Sequence, residues 1–156
     1  MRALPPGAGG LPIAGSLDAI ADALAAGTDV VVDLTGAASA RASGVFRALV
    51  SGRALDTRLS GDRPAAGGIV RLDLSSIPDV AAVDLYVAVA DPEADGFLTA
   101  FACDAERPWV SSLNYAAGGV AGNHVSVAVG DDHQVCLYTL RATDVIVDVE
   151  GVHVAM

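Results

Sequence analysis

Apolar and polar residues alternate with a period of two in several stretches of this chain, and that alternation limits the fold more than any other feature. The stretch "IVRLDLS" (69–75) alternates in this way. So does "AAVDLYVAVA" (81–90), which is followed by the turn residues "DPEADG" and by the apolar run "FLTAFAC" (97–103). Turn residues between two strand-like runs favour a β-hairpin, so we expect one over residues 81–103. The first of its strands is expected to bury one aliphatic face: Val83, Leu85, Val87 and Val89.

Further strand-like runs follow at 123–130, 134–140 and 143–154. Short strands at this spacing predict an all-β protein, an antiparallel β-sandwich of the immunoglobulin-like or jelly-roll-like kind. One short N-terminal helix is expected at about residues 17–26, where Ser16 can cap the start and Gly27 can end it. The predicted domains are an extended Pro/Gly arm over residues 1–15, a helix, strand and linker over 16–44, and the sandwich over 45–156.

One ten-residue stretch occurs twice. "GTDVVVDLTG" (Gly27–Gly36) and "ATDVIVDVEG" (Ala142–Gly151) share six identities, including both aspartates and the final glycine. A repeat on this scale is that of a whole all-β domain. We therefore interpret the first copy as the last strand of a preceding, truncated unit or as an added edge strand. In either case Thr28–Leu34 needs backbone partners, which pairing with the complete sandwich or strand addition to another subunit would supply.

Charge and hydropathy exclude several classes of partner. The net charge is −10, and all nine basic residues are arginine, so we expect no nucleic-acid partner. No apolar run approaches the length of a membrane-spanning helix, so no membrane insertion is expected. The first fifteen residues, "MRALPPGAGGLPIAG", do not have the pattern of a signal peptide.

Two groups of polar residues are candidates for chemistry. Asp91, Glu93 and Asp95 alternate before a glycine, as at the start of a calcium-binding loop, although the twelfth position of such a loop would hold an alanine. The bland alternative is a solvated turn, and we expect no cofactor. A hydrolase site would be built on these residues: His124, Asp131, Asp132 and His133. Against it, no Gly-X-Ser-X-Gly motif supplies a nucleophile.

Two further groups have structural alternatives. Trp109, Asn114 and Tyr115 lie in one expected loop and form the best candidate for a glycan-stacking platform, although Trp109 can equally cap the core. Asp148 lies within an apolar strand and needs a partner, for which the segment "RALDTR" offers Arg53 and Arg58. We interpret this second group as a structural ion pair. The two cysteines, Cys103 and Cys136, lie in strand-like runs and are either buried thiols or a disulfide.

Several segments occur here in the order found in one family. They are "GRALDTR" (52–58), "GGIVRLDL" (67–74), "GFLTAFAC" (96–103), "SSLNYAAGGVAGNHVSVAVG" (111–130), "VCLYTL" (135–140) and "TDVIVDVEG" (143–151). Together they resemble a β-rich repeat domain of secreted and surface multidomain proteins of actinobacteria. The resemblance covers about residues 45–151. This chain departs from the family after Gly151, where valine and histidine replace an aromatic pair.

The resemblance implies a secreted or cell-surface location and a disulfide between Cys103 and Cys136. It brings no established activity and therefore no catalytic residues. The expected function is that of a non-catalytic extracytoplasmic binding or scaffold module, acting in protein–protein assembly, adhesion or attachment to cell-envelope glycan. The alternative is the hydrolase built on His124, Asp131, Asp132 and His133.

Overall fold

The structure is a computed structural model that describes residues 44–155, together with Ala25, which has helical backbone. The chain divides into two compact units, Met1–Leu34 and Thr35–Met156, and every described strand belongs to the second. The predicted arm, the rest of the predicted helix, the strand Thr28–Leu34 and most of the linker lie outside the described residues.

Residues 44–155 contain eight strands and one short helix. In chain order these are β1 (Gly44–Asp56), α1 (Thr57–Ser60), β2 (Ile69–Asp73), β3 (Val80–Ala90), β4 (Gly96–Ala102), β5 (Leu113–Tyr115), β6 (Val120–Ala128), β7 (Gln134–Thr139) and β8 (Asp144–Ala155).

The strands form two four-stranded antiparallel sheets. Sheet A has the order β1-β8-β3-β6, and sheet B has the order β2-β7-β4-β5. The first strand pairs with the last, the second with the seventh, the third with the sixth and the fourth with the fifth. This is the order produced when one long antiparallel hairpin, bent between β4 and β5, is rolled into a sandwich. The predicted antiparallel β-sandwich is confirmed, and of its two forms the strand order is that of a jelly roll.

The core lies between the inner faces of the two sheets. Because side chains of a strand point alternately to its two faces, each inner face is a ladder of aliphatic residues. The four residues predicted to share one face of β3 are all fully buried, as are Leu98, Val135 and Leu137 from sheet B. Burial of this continuous aliphatic layer is the main stabilising contribution to the fold.

The predicted hairpin over residues 81–103 is wrong. β3 pairs with β6 and β8 in sheet A, whereas β4 pairs with β5 and β7 in sheet B. The turn residues between β3 and β4 therefore carry the chain from one sheet to the other. Turn chemistry identifies where a chain reverses, but in a rolled hairpin the hydrogen-bonding partner of a strand is set by long-range pairing.

The disulfide implied by the resemblance is present. Cys103 is bonded to Cys136, with their Cα atoms 4.9 Å apart and a sequence separation of 33. Cys136 pairs with Phe101 across β7 and β4 on the outer face of sheet B. Phe101 and Cys136 are buried, although they do not belong to the core cluster, because the β4–β5 loop covers that face. The carbonyl of Val110 in this loop accepts a hydrogen bond from Thr99 Oγ1 at 2.7 Å. The disulfide attaches the start of this loop to β7.

The described residues include no helix long and apolar enough to cross a membrane.

Candidate functional site on the outer face of sheet A

The outer face of sheet A carries most of the polar side chains that the fold brings together. Strand pairing puts Arg53, Asp148, Tyr86 and His124 in one row across all four strands of the sheet. A neighbouring row contains Gly151, Asp84 and Ser126. The same alternation that buries the valines of β3 and β8 therefore presents a polar surface to solvent.

Asp84 is the centre of the first polar group. Its Oδ1 accepts a short hydrogen bond from Ser126 Oγ, and its Oδ2 lies 3.2 Å from His153 Nε2. In a catalytic triad the histidine lies between serine and carboxylate, because it must take the serine proton. Here the carboxylate occupies the middle position. This arrangement orients Ser126 and His153 but does not make Ser126 a nucleophile.

His124 and Glu150 form the second polar group. His124 Nδ1 lies 2.8 Å from Glu150 Oε2, and the ring of Tyr86 meets the imidazole edge-on, with centroids 4.9 Å apart. Glu150 reaches this position because β8 has a bulge there: Asp84 pairs with Gly151, and the next residue, Leu85, pairs with Val149. The bulge turns the glutamate side chain toward β6.

Between the two groups lies a pocket of about 280 Å³. Its polar wall consists of Asp84, His124, Ser126 and Glu150, and its apolar wall is the ring of Phe46 from β1. Phe46 is 52% exposed and packs against His153, with ring centroids 5.1 Å apart. A side chain at Gly151 would overlap the Phe46 ring, so that glycine is what permits the ring to lie flat on the sheet.

The edge strand β1 borders this pocket. Within residues 44–155 it has one strand neighbour, β8. Four of the nine most exposed large hydrophobic side chains lie on β1: Val45, Phe46, Leu49 and Val50. Val50 is 98% exposed, in an irregular stretch where three residues of β1 face one residue of β8. An apolar strand edge of this kind is a template for pairing with another strand.

An ion-pair network fixes the other end of β1. Arg53 contacts Asp148 on β8 and also Asp56, the latter at 2.8 Å. Arg58 donates two hydrogen bonds to Asp56, at 2.9 and 2.7 Å, and these hydrogen bonds lower the pKa of the Asp56 carboxyl to about 2. Asp56 also caps α1 by accepting from the backbone N–H of Arg58. The ion pair interpreted from "RALDTR" and Asp148 is therefore observed, and it is structural.

The residues of the alternative hydrolase site lie in two separate places. His124 lies on β6 against Glu150, whereas Asp131, Asp132 and His133 belong to the β6–β7 turn. There Asp132 Oδ1 accepts from the backbone N–H of Gln134, and the backbone N–H of Asp131 donates to Asp104. No hydrogen bond or ion pair among the described residues joins His124 to the turn residues.

The predicted glycan platform is not assembled as expected. Trp109 is 88% exposed, and the guanidinium of Arg107 lies 4.9 Å from its ring centroid. Tyr115, by contrast, is buried in the core, where its hydroxyl accepts a hydrogen bond from the backbone N–H of Arg141 at 3.1 Å. Burial raises the pKa of its phenol. Asn114 is exposed and bonds Ser111. The side chains of β5 point alternately to its two faces, and that of Tyr115 points into the core. Tyr115 therefore cannot stack on a ligand.

The calcium candidate is likewise dispersed. Asp95 Oδ1 accepts from the backbone N–H of Ala117, and the backbone N–H of Glu93 donates to Ala142. Asp91 has a left-handed backbone, and its side chain is 82% exposed. Among residues 44–155 no group of three or more His, Cys, Asp or Glu side chains is placed to hold a metal ion.

Sequence reasoning did not find the pocket residues Phe46, Asp84 and Glu150. Asp84 and Glu150 look like ordinary solvent-facing positions, and Phe46 is 38 residues from Asp84 in sequence. The available signal was the alternation of side chains along β3, which puts Asp84 and Tyr86 on the face opposite the core. Only the strand order reveals that β1, β6 and β8 bring their polar residues to the same place.

No protein-family model matches this chain, and no curated protein matches it. Among solved structures, the chain is similar to the coat protein of Tobacco streak virus, with a TM-score of 0.39 and 12% sequence identity. The superposed region covers 77% of this chain and 91% of the coat protein.

Proposed function

We propose that this chain is a non-catalytic, extracytoplasmic binding and scaffold module that assembles with other protein subunits by strand addition at β1. The observation that carries the proposal is the edge of β1, with Val45, Phe46, Leu49 and Val50 exposed along it. Protein edge strands of this length are ordinarily protected by proline, lysine or a covering element. β1 contains neither proline nor lysine, and its charged side chains before Asp56 are Arg47 and Arg53.

The partner we assign to this edge is Thr28–Leu34 of a second copy of the chain. Its sequence matches that of Thr143–Val149, most of which belongs to β8. β8 is the strand that pairs antiparallel with β1 in sheet A. A strand of β8-like sequence therefore has side chains that suit an antiparallel neighbour of β1, and in β8 the matching residues Ile146–Val149 lie opposite Gly52–Asp56. One copy would donate Thr28–Leu34, and the next would accept it along β1.

The extracytoplasmic setting is supported by the disulfide between Cys103 and Cys136. Disulfides persist in oxidising compartments and are rare in the reducing cytosol. The resemblance to secreted and surface repeat domains points the same way. No arrangement of the described residues favours the hydrolase alternative, because His124 pairs with Glu150 on the sheet face and no hydrogen bond or ion pair among those residues joins it to Asp131, Asp132 or His133.

The test is self-association of the full chain, measured by sedimentation velocity over a wide range of protein concentration. We expect concentration-dependent assembly that Val50→Lys suppresses, since a charged side chain blocks a strand edge. Val120→Lys is the matched control, because Val120 is 79% exposed but lies on β6, at the opposite edge of sheet A. We expect it to assemble as the wild type does.

A second variant identifies the donor. Val31→Pro removes a backbone donor that the proposed pairing of Thr28–Leu34 as a strand would need, and it changes no residue of β1. Each variant alone is expected to be monomeric. An equimolar mixture of Val31→Pro and Val50→Lys retains one intact donor and one intact acceptor, so it should form a heterodimer. A wild-type chain that stays monomeric throughout, or a mixture that gives no heterodimer, would contradict the proposal.

A further inference from the structure

The pocket on the outer face of sheet A offers a ligand almost exclusively hydrogen-bond acceptors. Ser126 donates its single hydroxyl proton to Asp84, so its remaining capacity is that of an acceptor. His124 Nδ1 lies 2.8 Å from Glu150 Oε2, so this ring nitrogen is engaged within the protein. The carboxylates of Asp84 and Glu150 accept only. The hydroxyl proton of this wall is thus donated within the protein, and its two carboxylates remain as acceptors.

The opposite wall is aromatic. The ring of Phe46 is 52% exposed and lines the pocket, and its support by His153 and Gly151 keeps it against the sheet. An exposed aromatic face attracts a cation, and a planar cation can also stack on it. The pocket therefore combines a stacking wall with a wall of acceptors that carries two carboxylates.

From the acceptor wall, the exposed Phe46 ring and the volume of about 280 Å³, we infer that this pocket binds the guanidinium group of an arginine side chain of a partner protein. A guanidinium has five donors and no acceptor, is always charged and is planar, so it complements all three features at once. A sugar hydroxyl is best held by donors as well as acceptors, and the hydroxyl proton of Ser126 is already donated to Asp84. The charge complementarity agrees with the net charge of −10.

The probe is Nα-acetyl-L-arginine amide, added to the full-length protein labelled with ¹⁵N. We expect progressive amide shifts at Leu85, Val125 and Glu150, which line the pocket, and saturation in the millimolar range. The matching citrulline derivative has the same shape without the charge, so it should produce no saturable shift. The lysine derivative should bind more weakly, because an ammonium does not stack on the ring.

Two glutamate-to-glutamine variants distinguish binding in the pocket from a general attraction to the negative charge of the protein. Glu150→Gln keeps the shape of the side chain but removes its charge, and should weaken binding by about tenfold. Glu93→Gln makes the same change at an exposed position in the β3–β4 turn and should leave binding unchanged. Phe46→Leu should also weaken binding, since it keeps an apolar wall but removes the aromatic face.

The inference is overturned if citrulline or N-acetylglucosamine shifts the same amides as strongly as the arginine probe. It is also overturned if no amide of the pocket responds, or if Glu93→Gln and Glu150→Gln weaken binding equally. These results are separate from self-association, because Val50→Lys changes no residue that lines the pocket. Arginine binding by a chain that stays monomeric would contradict the proposed assembly and support the pocket.

Discussion

Arg53 of β1 lies directly across the sheet from Asp148 of β8, and its guanidinium contacts that carboxylate while also reaching Asp56 at 2.8 Å. The hydrogen bond that Arg53 donates to Asp148 raises the pKa of the Arg53 guanidinium. Since Asp56 in turn binds Arg58 and caps α1, one chain of contacts links β8, β1 and the helix. This network fixes the C-terminal half of β1, whereas in the other half the side chains of Phe46 and Val50 are exposed.

Asp56 gives this network a predictable dependence on pH. Its pKa is about 2 in the folded protein against an ordinary value of 3.8, because Arg58 binds the ionised form. A lowered folded pKa contributes stability that is present above the unfolded value and is lost as the pH falls through the folded one. We therefore expect Asp56→Asn to flatten the fall in unfolding free energy between pH 4 and pH 2.

Urea denaturation followed by far-ultraviolet circular dichroism at a series of pH values measures this effect. Asp62→Asn is the matched control, since Asp62 is an exposed carboxylate in the loop after α1. In this control, the unfolding free energy should fall with pH as steeply as in the wild type. Parallel stability curves for wild type and Asp56→Asn would show that Arg58 does not hold Asp56 in its ionised form.

The disulfide gives a second prediction. A cross-link that closes a loop of 33 residues reduces the entropy of the unfolded chain, and should stabilise the fold by about 3 kcal/mol. The double variant Cys103→Ala/Cys136→Ala is expected to lose about this amount in urea denaturation. Reduction of the wild type under the same conditions should give a similar loss, which serves as the control for the small change in side-chain volume. An unchanged midpoint in both experiments would contradict the prediction.

The sequence predicted the layers of this fold better than its connections. The period-two pattern of β3 correctly identified its buried face, because burial of one face is a local property of a strand between core and solvent. The partner of β3 was predicted wrongly, as β4 instead of β6 and β8. Strand partners in a jelly roll are distant in sequence, and no local signal encodes them.

The candidate site could also be predicted only in part from the sequence. The ion pair of Arg53 with Asp148 could be predicted because a carboxylate within an apolar strand requires a partner, and few cations were available. The pocket between Phe46 and Glu150 could not be predicted, because it depends on a bulge in β8 and on the order of four strands. Residues that are unremarkable along the chain become a site only when the sheet aligns them.

Tyr115 and Trp109 provide a matched test of the corrected aromatic assignment. The two residues belong to the same segment, yet Tyr115 is 6% exposed and Trp109 is 88% exposed. Tyr115→Phe keeps the ring but removes the hydroxyl that accepts from the backbone of Arg141, so the N–H of a part-buried hydrogen bond loses its partner. We expect this change to cost about 1–3 kcal/mol in unfolding free energy.

Trp109→Ala should lower the unfolding free energy by no more than about 1 kcal/mol, since an exposed cation–π contact with Arg107 is the main interaction lost. Urea denaturation of the two variants measures both values, and a larger loss for Trp109→Ala than for Tyr115→Phe would place the tryptophan, and not the tyrosine, in the core.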